Sequence, residues 1–177
     1  MKEMKRIIKA LKECTHKKKH GGLNAIQYRK IDKYKGTLSA TNHFVALLIK
    51  EVSFFQLHQY IMAEYGVSMT NETGCLHLNN RLRKQNIPPL IWDTKEKIYT
   101  DIEKAIQKHT PELPTKDVKN IGVFRFDVIN VVGKILNLLS DTNYFFPSQS
   151  TPLSSACWES ETYKLLAMPM DLERIMD

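Results

Sequence analysis

Five polar side chains at one helical spacing constrain this chain more than any other feature. Thr73, His77, Asn80, Arg81 and Lys84 stand at i, i+4, i+7, i+8 and i+11, which is a single stripe of an α-helix. Cys75, Leu78 and Leu82 form the opposing apolar stripe that seats such a helix on a core. Pro88 and Pro89 forbid continuation beyond about Asn86. Upstream, Phe54 to Tyr65 reads as a helix through Phe54, Leu57 and Ile61, with Gly66 as its stop. Val67-Ser68-Met69 is then the turn, Thr70 or Asn71 the cap of the second helix, and Glu72 the acid that complements its dipole.

Charge is placed asymmetrically around this pair. Of the net +7, residues 1 to 36 hold 12 Lys and Arg against three acids, a local +9, so the rest of the chain sums to −2. From Asp141 to the C-terminus the balance reverses, with six acids against Lys164 and Arg174. A positive leading end suits a polyanionic partner, and Lys17, Lys18, Lys19, Arg29 and Lys30 are the candidate phosphate contacts within it. Tyr28 and Tyr34 interleave with Arg29, Lys30 and Lys33, a mixture compatible with stacking as well as charge. The alternative is a solvated basic face with no ligand.

The remaining periodicity predicts a mainly α protein: a helix-turn-helix core with at most a short β element, and a C-terminal helical region. Residues 2 to 14 make a basic amphipathic helix, 23 to 35 another, and Ser39 to Glu51 a third with Phe44, Leu47, Leu48 and Val52 on one side. Leu90-Ile91-Trp92 is a single strand or a packed linker. Asp93 to Glu96 starts a helix carrying Ile98, Ile102 and Ile106. Val118 to Leu139 traces a long apolar face, 142 to 157 is loop-like, and Trp158 to Met168 returns as a short helix. This divides the chain into a basic arm (1–36), a DNA-binding core (37–110) and a packing or dimerisation region (111–177), with Leu172, Ile175 and Met176 adding to the homodimer face.

From Leu57 to Lys84, the apolar helix, the Tyr65-Gly66-Val67-Ser68 turn and the capped helix ending Asn79-Asn80-Arg81-Leu82-Arg83-Lys84 resemble the helix-turn-helix of winged-helix DNA-binding domains. The resemblance implies that the second helix enters the major groove of double-stranded DNA. It implies His77, Asn80 and Arg81 at bases or groove, and Arg83 and Lys84 on the backbone. Where that family has a two-stranded wing, this chain has Ile87 to Trp92, and Gly74 falls in the first turns of the reading helix.

Other chemistries have weaker support. Cys14 with His16 and Cys75 with His77, with His20 nearby, would need two distant segments to meet before they held zinc, so no metal or other cofactor is expected. No HExxH, phosphate-cradling glycine loop or GxSxG occurs, and no catalytic residue is assigned. Asp93, Glu96, Asp101 and Glu103 alternate with lysines at helix-pairing distance, leaving a metal-dependent nuclease as a third function class behind a DNA-binding regulator and a protein-interaction factor. The three cysteines form no disulfide framework, and no uninterrupted apolar run suits a membrane span or a signal peptide, so the expected place is the cytoplasm.

Overall fold

Runs of mostly buried residues along the N-terminal third form a sheet where periodicity predicts helices. The computed structural model describes residues 1–15, 25–68, 72–85, 87–92, 100–110, 122–139, 147, 149 and 151–171. Strands β1 (Ile26–Lys30), β2 (Lys35–Thr41) and β3 (Val45–Ser53) run antiparallel in succession, and β5 (Ala156–Glu159) and β6 (Tyr163–Ala167) form a hairpin whose β6 lies against β3. The short β4 (Leu90–Trp92) adds parallel to β1. The resulting order is β4-β1-β2-β3-β6-β5, in one six-stranded sheet. The architecture is therefore α+β, which overturns the mainly α expectation. Strands occupy 26–30, 35–41, 45–53, 156–159 and 163–167, where helices are predicted over 23–35, 39–51 and 158–168.

The reason lies in β3, which has a paired strand on each side and packed residues on each face. Val45, Leu47 and Ile49 enter the main core, while Ala46 and Leu48 pack beneath a separate helix on the other side. A strand covered on both faces shows no polar alternation, and its run of apolar residues imitates a helical stripe.

Four helices cover the main face. These are α1 (Lys2–Glu13), α2 (Phe54–Tyr65), α3 (Glu72–Lys84) and α5 (Phe126–Leu139). Met4, Ile8 and Leu11 of α1, Leu57 and Ile61 of α2, Leu78 and Leu82 of α3, and Val128, Val132, Ile135 and Leu136 of α5 share one core with Tyr28, Leu38, Leu47 and Leu165 of the sheet. The apolar face of α5, expected to pack internally or against a second copy, puts Val128, Val132, Ile135 and Leu136 into the core of the chain. Val118, Ile121, Leu172, Ile175 and Met176 lie outside the described residues. The fifth helix, α4 (Thr100–His109), lies on the opposite face, where Ile106 packs with Cys157 and Leu166. Residues 93–99 of the expected longer helix lie outside the described residues.

Elements from all three sequence segments meet here: β1 from the basic arm, β2 to β4 from the middle, and β5 and β6 from the C-terminal part enter the same sheet. Gly36 permits the close passage of β1 and β2, since a Cβ there would collide with the Arg29 carbonyl oxygen and sit 2.6 Å from the Tyr28 ring. Gly66 ends α2 at φ 64°, the left-handed conformation in which glycine carries no Cβ penalty.

Candidate nucleic-acid interface

Helix α3 is seated through Leu78 and Leu82, which are both buried, and that anchoring determines where its polar residues point. Asn80, Arg83 and Lys84 are exposed on the side away from those leucines. Arg81 is exposed too, but its guanidinium Nη1 donates a 2.5 Å hydrogen bond to the Tyr65 carbonyl oxygen at the end of α2. A cation at a helix C-terminus satisfies an otherwise open carbonyl and complements the dipole, so Arg81 fastens α3 to α2. The side chains of Thr73, Cys75 and His77 lie outside the described residues.

The inner side of α1 shares a cleft with α2 and α3. Ile8 and Lys12 of α1, Tyr60, Ile61 and Tyr65 of α2, and Leu78 and Leu82 of α3 line a common cleft. Met4, Ile8 and Leu11 turn inward, leaving Lys2, Lys5, Arg6 and Lys9 exposed at i, i+3, i+4 and i+7, one helical stripe. Glu64 lies 4.0 Å from the Lys5 ammonium. Burial holds the Lys12 ammonium below the usual lysine range, with Glu64 acting in the opposite direction. Lys17, Lys18 and Lys19 lie outside the described residues.

Arg29 does not join this surface. It projects from the sheet face that α4 covers, with Nε and Nη2 each 2.6 Å from Oε2 of Glu103. The hydroxyl of Thr37, directly opposite Arg29 across the strand pair, donates to the other oxygen of the same carboxylate. The three residues clamp α4 to the sheet. Lys30, the next residue, is exposed at the start of the β1–β2 turn.

Compared with known proteins, the chain matches no family model, no curated protein and no solved structure.

The acids considered for a nuclease are placed as follows. Glu103 is held by Arg29 and Thr37, while Asp93 and Glu96, and the side chain of Asp101, lie outside the described residues. Among the described residues no three His, Cys, Asp or Glu side chains gather as a metal site. Cys14 is fully buried in the main core, and desolvation raises its thiol pKa far above the usual range; His16 and His20 lie outside the described residues. No helix among the described residues is long and apolar enough to cross a membrane.

Sequence reasoning overlooks the turn between β1 and β2, because periodicity predicts a helix there. Asp32 Oδ1 accepts hydrogen bonds from the backbone amides of Tyr34 and Lys35, at 2.7 and 2.9 Å. These bonds hold its carboxyl below the usual carboxylate range. The signal is present in the run Lys30-Ile31-Asp32-Lys33-Tyr34-Lys35, since an Asp that bonds the backbone two residues on is a turn former.

Proposed function

We propose that this chain is a DNA-binding regulatory protein that meets duplex DNA with α3, helped by the basic face of α1. The observation that carries the proposal is the outward set Asn80, Arg83 and Lys84 on a helix anchored by buried Leu78 and Leu82, and α1 separately exposes Lys2, Lys5, Arg6 and Lys9 as one basic stripe. The α2–α3 pair would act as a helix-turn-helix unit, with Asn80 able to pair an adenine edge and Arg83 and Lys84 able to hold phosphate. The six-stranded sheet, which α3 meets at β4 and α2 meets at β3, would serve as the support in place of a wing. Buried, unpaired Cys14 and Cys157 suit a reducing cytoplasm. Titration of a labelled duplex at several salt concentrations tests the proposal. Binding that weakens with salt and is lost in the Arg83→Ala/Lys84→Ala variant supports it, and salt-independent binding or an unaffected variant overturns it.

One observation favours a second reading, a protein-interaction factor. Phe126 (85% exposed), Val123 (53%), Phe44 (44%) and Ile129 (42%) leave apolar surface open around the start of α5. Backbone hydrogen bonds from Met168 to Phe44 and from Met170 to Val123 draw these segments together, and Arg125 lies 4.9 Å over the Phe44 ring. Exposed aromatic groups next to an arginine are common at protein contacts. Mutation of Phe126 to Ser with loss of a co-purifying partner, and no change in DNA affinity, would favour this reading.

A further inference from the structure

The β1–β2 turn and the first turn of α2 carry large aromatic side chains that the core does not use. Tyr34 is 72% exposed and Phe55 is 65% exposed. The amide of Phe54 donates to the Tyr34 carbonyl oxygen at 2.8 Å, which joins the two segments. The support is stiff. Beside the two Asp32 bonds, the amides of Ile31 and Asp32 both donate to the Lys35 carbonyl oxygen, at 3.0 and 3.1 Å. Phe54 packs behind, its ring centroid 6.1 Å from that of Tyr28 and 6.2 Å from that of His58. Aromatic rings held out on a stiff backbone lose little entropy when a flat partner stacks on them.

Charge beside the rings selects the partner. Lys33 Nζ lies 5.5 Å from the Tyr34 ring centroid. Lys30 stands two residues beyond Tyr28 on β1, hence on the same strand face as the Tyr28 and Phe54 rings. Lys35 is held by Glu51 at 2.8 Å, whereas neither Lys30 nor Lys33 forms an ion pair with a described residue. A cation beside the exposed Tyr34 ring and a second at the start of the same turn suit a polymer that alternates phosphates with unpaired bases.

We propose that the β1–β2 turn with the start of α2 is a stacking site for single-stranded nucleic acid, in which Tyr34 and Phe55 take base faces and Lys30 and Lys33 take phosphates. The site is separate from α3 and stands or falls independently of duplex binding there.

The test uses the full chain, fluorescein-labelled oligothymidylate, an abasic oligomer with the same number of phosphates, and a labelled duplex. Oligothymidylate binds more tightly than the abasic oligomer, and Tyr34→Ala and Phe55→Ala each weaken it about tenfold. Tyr34→Phe keeps the affinity, and the change of Lys30 and Lys33 together to Ala flattens the salt dependence of log Kobs by about 1.4. Both aromatic variants retain the duplex affinity that Arg83→Ala/Lys84→Ala removes, so failure of either site is recognised separately. The proposal is overturned if the wild-type chain does not bind oligothymidylate, if the abasic oligomer binds equally well, or if the two Ala variants bind as the wild type does.

Discussion

Arg81 of α3 donates from its guanidinium to the carbonyl oxygen of Tyr65, 2.5 Å away at the end of α2. One residue therefore belongs both to the stripe that faces outward and to the joint between the helices. Changing Arg81 to Ala removes a charge-assisted bond and should lower stability by about 1 kcal/mol. Changing Arg83 and Lys84 to Ala should alter stability by no more than about 0.5 kcal/mol. If those two residues contact phosphates, the same double variant lowers the slope of log Kobs against log salt by about 2. Denaturant unfolding and salt-dependent anisotropy measure the two effects, and a stability loss in the double variant equal to that of Arg81→Ala would contradict the division of roles.

Glu103 is bound by Arg29 on one oxygen and by Thr37 on the other, and it is the described carboxylate that joins α4 to the sheet. Glu103→Gln keeps the shape and removes the charge, with an expected loss of about 2 kcal/mol. Hydrogen exchange should accelerate first in residues 100–110, because among the described residues α4 is otherwise held by the small cluster around Ile106. Uniform acceleration across the whole chain would argue against a local clamp.

Two glycines should respond in opposite directions. Gly36→Ala places a Cβ against the Arg29 carbonyl and the buried Tyr28 ring, so a backbone shift is forced and a loss of about 2 kcal/mol or more is expected. Gly133 is a position of α5 where an added Cβ meets nothing within 4 Å. Gly133→Ala should therefore raise stability by about 0.5 to 1 kcal/mol through helix propensity alone. Thermal unfolding of the two variants decides both signs.

The β1–β2 turn should loosen in acid. The Asp32 carboxylate accepts two backbone amides, and its folded pKa lies below the usual carboxylate range. A depressed folded pKa means that the stabilisation is complete above the ordinary carboxylate pKa and fades as pH falls through the lower folded value. Amide shifts of Tyr34 and Lys35, followed by NMR against pH, should move together with a midpoint below that of Asp in an unfolded peptide. A midpoint at or above the peptide value would show that the carboxylate does not hold the turn. In Asp32→Ala that joint transition should vanish.

Local signals are legible where they stand close together in sequence. The helix from Phe54 to Tyr65 with its Gly66 stop, the helix to Lys84 before Pro88, and the basic amphipathic helix after Met1 can all be read directly. Each depends on a cap, a stop or one buried stripe, which neighbouring residues encode. The single strand Leu90 to Trp92 is one of two alternatives that the sequence leaves open.

The sheet is not legible for the opposite reason. Leu47 and Leu48 look like two members of one helical stripe, yet they point to opposite faces, one into the main core and one beneath α4. Nothing within reach of β3 in sequence announces that β6, more than a hundred residues later, pairs Leu48 with Lys164. Among the candidate site residues, Arg29 looks like a solvent-facing cation because Glu103 is distant in sequence and adjacent in space. The turn carrying Tyr34 and the start of α2 carrying Phe55 likewise become neighbours only when β2 and β3 fold back on each other.

Side-chain spacing and composition along short stretches were enough for α1, α2 and α3, for the stop at Gly66 and for the concentration of positive charge in the first 36 residues. Tertiary structure alone decided that one sheet unites distant segments, that Arg29 and Arg81 hold elements together, and which basic and aromatic groups remain facing solvent. Those outcomes depend on long-range strand pairing and on the partner each charge meets, and local periodicity carries neither.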